Sequence, residues 1–117
     1  MTVTGDCVFC KIAEKKIETD VIYEDEDIFA FKDLHPKAPV HFLFIPKKHI
    51  PSMNYLTDDD ASILGRMLLR AKETAAKHGI SDDGYRIVIN CNKNAGQEVF
   101  HLHAHLLGGR QFSWPPG

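Results

Sequence analysis

Residues 101–107 read His101-Leu102-His103-Ala104-His105-Leu106-Leu107. The histidines occupy alternate positions, and a β-strand sends alternate side chains to opposite faces. A strand here lines three imidazoles along one face and sets Leu102, Ala104 and Leu106 on the other. Neutral imidazole serves as metal ligand, general base or nucleophile, so three on one rigid element point to a site as well as to a sheet.

The flanks extend the pattern. Asn94-Ala95-Gly96-Gln97 precedes the strand in a polar loop, Asn92–Gly96, and offers backbone N–H groups and amides to an anionic substrate. Gly108-Gly109 follows it and lets another segment come close. Upstream, Tyr85–Asn90 reads as a strand, and Asp58–His78 as the clearest helix. Thr57 can cap that helix, Asp58 to Asp60 complement the positive end of its dipole, and Gly79 suits the position past its end. Its apolar stripe is Ile63, Leu64, Met67, Leu68, Ala71 and Ala75.

Val40–Ile45 is almost wholly apolar, as in a buried strand, and Pro46 stops it. Val21–Glu24 and Ile28–Lys32 are short strands around an Asp25-Glu26-Asp27 turn, and Cys7–Lys15 a short helix with Phe9, Ile12 and Ala13 on one side. Trp114-Pro115-Pro116 in the tail cannot continue a sheet. Strands outnumber helices without a regular βαβ alternation, so the expected class is α+β around an antiparallel sheet.

At 117 residues the chain is read as one domain, 1–117. Its net charge of −2 gives no electrostatic reason to expect a nucleic-acid or anionic membrane partner. No apolar run approaches ~20 residues, and Met1–Asp6 lacks the basic and apolar regions of a signal peptide. Three cysteines argue against a disulfide framework, and the expected setting is a reducing cytoplasm.

Three readings of the histidine row compete: solvent-facing or core-satisfied side chains, a His-x-His metal site, and nucleophilic catalysis by the central histidine. The loop ahead of the strand favours the third. Cys7-x-x-Cys10 suits zinc, a redox pair or two small buried residues. The redox reading lacks its βαβ context.

The motif His-φ-His-φ-His-φ-φ, with φ apolar, resembles the signature of the histidine triad (HIT) nucleotide hydrolases and transferases. The Hint branch is also similar at Phe31-Lys32-Asp33-Leu34, Ala38-Pro39-Val40-His41-Phe42, Ile45-Pro46-Lys47-Lys48-His49-Ile50, Gly84-Tyr85-Arg86, Gly96-Gln97-Glu98-Val99-Phe100, Gly108-Gly109-Arg110-Gln111 and Trp114-Pro115-Pro116-Gly117. These segments span nearly the whole chain in order.

The resemblance implies a HIT-like fold with a five-stranded antiparallel sheet, one long and one short helix, and a homodimer whose 110–117 tail reaches the partner. It implies a purine nucleoside phosphoramidase that cleaves the P–N bond of AMP-amides through a nucleotidyl-histidine. His103 would be the nucleophile, steadied by the carbonyl of His101. His105 would bind or protonate at the phosphate, with His41 nearby. Asn90, Gln97 and the Val99 N–H would contact phosphate, Asp33 the ribose, and Val8, Phe9, Ile12, Phe31 and Leu34 the base.

Relatives that keep Cys-x-x-Cys imply a structural zinc on Cys7, Cys10, His49 and His101, with no metal needed for catalysis. Glu98 stands where some relatives carry Ser, and is expected to point away or to face a basic leaving amine. Cys91 is read as a buried apolar residue, His78 as a dipole complement, and His35 as a turn residue. The alternatives are a dinucleoside polyphosphate hydrolase of the Fhit type, and a nucleotide-binding regulator without turnover.

Overall fold

The computed structural model describes residues 6–117. Five strands, β1 (Val21–Glu24), β2 (Ile28–Lys32), β3 (Val40–Pro46), β4 (Tyr85–Val88) and β5 (Ala104–Gly108), form one sheet in the order β1-β2-β3-β5-β4. Every neighbouring pair is antiparallel. A short helix, α1 (Val8–Ala13), precedes the sheet, and a long helix, α2 (Ala61–Lys77), lies between β3 and β4 in sequence. The architecture is the α+β arrangement read from the sequence.

Both faces of the sheet are covered, and the period of two decides what each receives. Ile28 and Ala30 of β2, Phe42 and Phe44 of β3, and Ala104 and Leu106 of β5 pack against Met67, Ala71 and Ala75 of α2. The intervening residues Phe29, Phe31, Leu43 and Ile45 meet Phe9, Ile12 and Ala13 of α1 on the other face. His105 stands opposite Leu43 in the β3–β5 register, and His41 opposite Leu107. His41 and His105 are therefore diagonal neighbours on the α1 face, within reach of each other. One layer is purely structural and the other carries the imidazoles.

Several boundaries differ from the sequence reading. The strand that was to hold all three histidines begins at Ala104, so His101 and His103 lie in the segment leading into it. That segment is pinned by the Leu102 N–H donating to the Ile50 carbonyl at 2.6 Å. The first helix ends at Ala13, since Lys15 takes a positive φ of 63°. Residues Asp58–Asp60 form a separate 3-10 turn ahead of α2, and β4 stops at Val88.

The reason for the split turn is Asp60, which is buried. Its carboxylate accepts the Thr57 backbone N–H at 3.0 Å and pairs with Lys48 at 2.8 Å. On α2 the inner stripe is narrower than the sequence suggested. Thr74 is buried, its hydroxyl donating to the Arg70 carbonyl, while Leu68 faces solvent.

The glycine pair at the end of β5 serves the close approach anticipated for it. A Cβ on Gly108 would meet Ile80, and one on Gly109, where φ is +92°, would sit 2.9 Å from Pro39. Because Ile80 is buried in the α2-facing core, Gly108→Ala should destabilise the protein by about 1–3 kcal/mol in denaturant unfolding. A loss below about 0.5 kcal/mol would mean that the Ile80 layer yields without strain.

Candidate active site

The α1 face opens into a cavity of about 300 Å³ whose wall includes Val8, Phe9, Ile12, Phe31, Asp33 and Leu34 on one side. Asn90, Glu98, Val99, His103 and His105 close the other side. The apolar part comes from the first turns of α1 and the end of β2, and the polar part from the loop ahead of β5.

Three of the imidazoles, His41, His101 and His103, have their protons placed by a backbone partner. A neutral imidazole carries one N–H and one lone pair, so a fixed donor or acceptor at one nitrogen determines the other. Nδ1 of His103 donates to the His101 carbonyl at 2.7 Å. Its Nε2 therefore holds the free lone pair. The ring meets Phe9 edge-on, with centroids 5.1 Å apart and planes at 89°, and stands 5.0 Å from the His105 ring.

His101 points the other way from its two companions in role. Its Nε2 donates to the Pro46 carbonyl at 2.7 Å, which leaves Nδ1 unprotonated and facing sulfur. That Nδ1 lies 3.3 Å from Cys7 Sγ and 3.5 Å from Cys10 Sγ, while His49 Nδ1 lies 3.2 Å from Cys10 Sγ. All four donor atoms fall within 4.8 Å of one another. Bond lengths of ~2.3 Å to sulfur and ~2.05 Å to nitrogen set the N–S edge of a zinc tetrahedron at about 3.5 Å. The donor set and its spacing fit a closed four-ligand metal site.

Burial holds these groups neutral. It pushes His101 down to about 4, against the pull of the Pro46 carbonyl. His105 is likewise lowered to about 4 by burial, reinforced by His103 and His41. Burial also lowers His103, His41 and His49. The Cys10 thiol is raised to about 12 by burial and by its contact with Cys7.

The structure gathers most of the residues singled out from sequence, and Gln97 is the exception. Its side-chain oxygen accepts the Asn92 N–H at 2.8 Å, and its amide donates to the carbonyls of Pro51 and Val99. Buried and fully committed, it braces the loop from behind instead of reaching the cavity where a phosphate contact was expected. Asp33 lies on the cavity wall, with one oxygen accepting the His35 N–H at 2.8 Å and the other 3.4 Å from His41 Nε2.

Glu98 is among the residues that line the cavity. Thr19, His35 and Leu43 also line it and were not picked out. His35 was passed over because a histidine before proline reads as a turn, and only the fold brings that turn to the cavity mouth.

This geometry belongs to a known class. The HIT domain family matches residues 14–112, and the chain is a member of that family. A HIT family hydrolase from Legionella pneumophila superposes with a TM-score of 0.94 at 54% identity, covering 96% of this chain and 100% of that one. A histidine triad protein from Clostridium difficile gives 0.92 at 38% identity, covering 96% and 97%. An uncharacterized HIT-like protein of Synechocystis is 53% identical over 112 residues, 96% of this chain and 97% of its own.

The lowered histidines have a consequence for stability. Burial disfavours their charged form, so the unfolded chain binds more protons than the folded one between their folded and ordinary values. Their contribution is complete above pH ~6.5 and is lost as the pH falls toward 4. Denaturation across that window should show falling stability, with a shallower slope in His105→Asn. An identical slope in the variant would remove His105 from the account.

Proposed function

We propose that this chain is a purine nucleoside phosphoramidase, which hydrolyses the P–N bond of AMP-type amides through a nucleotide bound covalently to His103. The observation that carries this reading is the 2.7 Å hydrogen bond from His103 Nδ1 to the His101 carbonyl. It leaves an unprotonated Nε2 on the ring that borders the cavity, and imidazole in this form is a nucleophile at neutral pH.

The cavity suits the rest of such a substrate. Phe9, Ile12, Phe31 and Leu34 offer an apolar slot for a flat base, and Asp33 a carboxylate for ribose hydroxyls. Asn90, the Val99 N–H and His105 are the candidate phosphate contacts. Water then cleaves the phosphorus–histidine bond and releases the nucleotide.

In the same reading Cys7, Cys10, His49 and His101 hold a structural zinc. A closed four-ligand site of this kind has no open position, so the ion would tie α1 to the segment before β5 and take no part in the chemistry. The chain acts as a homodimer in a reducing cytoplasm. The free edge of β4, with Leu69 half exposed on α2 and Trp114 80% exposed in the tail, supports a second copy as the covering partner.

AMP release from adenosine 5′-phosphoramidate should fall on the order of 10³-fold or more in His103→Ala. Turnover retained in that variant would refute covalent catalysis. Preference for diadenosine polyphosphates over the phosphoramidate would shift the assignment to the Fhit-type reaction. Metal analysis should find about one zinc per chain, absent from Cys10→Ser together with part of its thermal stability. Metal-free protein of unchanged stability would remove the zinc.

A further inference from the structure

Asp33, His41 and His105 bring three donor atoms within 4.8 Å of one another at the cavity, away from the cysteines. At first sight this is a second metal-binding constellation. The hydrogen bonds rule differently. The backbone N–H of Lys37 donates to His41 Nδ1 at 3.0 Å. Nδ1 must therefore keep its lone pair, and the single proton of neutral His41 sits on Nε2.

A cation at Nε2 would have to displace that proton, and the proton has nowhere to go, because Nδ1 already faces an N–H. His41 Nε2 lies 2.9 Å from His105 Nδ1 and 3.4 Å from Asp33 Oδ2. The shorter contact takes the hydrogen. His105 Nδ1 is an acceptor, and the only N–H on His105 is at Nε2, the nitrogen left to the cavity.

We propose that His41 is a positioning residue that transmits the Lys37 backbone amide to His105 and locks it as a permanently neutral Nε2–H donor. Resting on the phosphoramidase reading, this makes His105 a hydrogen-bond donor to a phosphate oxygen and not the proton source for the leaving amine. Protonating His105 at Nδ1 would set two N–H groups face to face at 2.9 Å, and His41 cannot turn its proton elsewhere. A neutral donor aimed at an oxygen that gains charge in the transition state works without any proton moving.

The step then balances without an enzyme acid. The Nε2 lone pair of His103 forms the bond to phosphorus, and the P–N electron pair leaves with the amine nitrogen, which takes its proton from water. The hydroxide so formed then attacks phosphorus, and the phosphorus–histidine electron pair returns to His103 Nε2 as the nucleotide leaves. The groups facing His105 are His41 from β3, Asp33 from the loop after β2, His103 on its own chain segment, and Glu98 across the cavity. The Asp33 carboxylate favours a charged imidazole. The fixed Nε2–H of His41, at hydrogen-bond distance, opposes it.

The direct test is nitrogen NMR of ¹⁵N-histidine-labelled, metal-loaded protein without substrate between pH 5.5 and 8.5. His41 and His105 should each show a bare Nδ1 and a protonated Nε2 throughout. An imidazolium at His105 near pH 6–7, or its proton on Nδ1, would overturn the proposal. Lys37→Pro removes the backbone donor and should mix the His41 tautomers, while Lys37→Ala keeps the amide and should not.

In turnover of the phosphoramidate, His105→Gln supplies a neutral amide donor and should stay at least 10-fold more active than His105→Ala. Equal loss in the two counts against the donor role. If the tautomers are as stated but wild-type protein releases no AMP, the phosphoramidase reading fails and the lock stands.

Discussion

A buried imidazole has two nitrogens and one proton, and this molecule depends on backbone groups to decide where that proton lies. The His101 carbonyl holds it on Nδ1 of His103, the Pro46 carbonyl on Nε2 of His101, and the Lys37 amide keeps it off Nδ1 of His41. Main-chain groups inside or beside a sheet cannot rotate away as side chains can, so the tautomers are as rigid as the fold. The pairing of β3 with β5 brings these partners together. One motif of repeated histidines thereby yields rings with different free nitrogens: a lone pair toward the cavity, a lone pair toward sulfur, and an N–H toward the cavity.

The short helix α1 joins two of these environments. Cys7 at its N-cap and Cys10 one turn later face His49 and His101. Phe9 and Ile12, interleaved with them, line the cavity, and Phe9 touches the edges of both His101 and His103. Six residues make a helix too short to hold its place by propensity. Its position rests on the Phe9, Ile12 and Ala13 contacts to β2 and β3 and on the sulfur cluster. What fixes the cysteines therefore also fixes the wall of the cavity.

Much of this was legible in the chain because, within a strand, period-two alternation decides which face each side chain takes. The strands, the antiparallel sheet and the long helix follow from patterns confined to a few residues each, whereas the place of His41 beside His103 and His105 came from the resemblance to the HIT family. What was not legible depends on partners distant in sequence. Gln97 looked like a phosphate ligand because an amide beside glycine in a polar loop suits an anion; its contact with the Pro51 carbonyl, 46 residues away, takes the amide inward. The strand start at Ala104 reflects the Leu102–Ile50 hydrogen bond, and the 3-10 turn before α2 reflects the buried Asp60–Lys48 pair. His35 was unremarkable until the fold set its turn at the cavity mouth.

In the proposed phosphoramidase reading the unequal roles of the histidines converge on one covalent event, which mass spectrometry of an acid-sparing quench can observe directly. Protein mixed with excess adenosine 5′-phosphoramidate and stopped within the first turnovers should carry one added nucleotide. Fragmentation should place it on His103, and His103→Ala should carry none. A nucleotide on His105 or His101, or full turnover with no adduct at any time, would contradict the account.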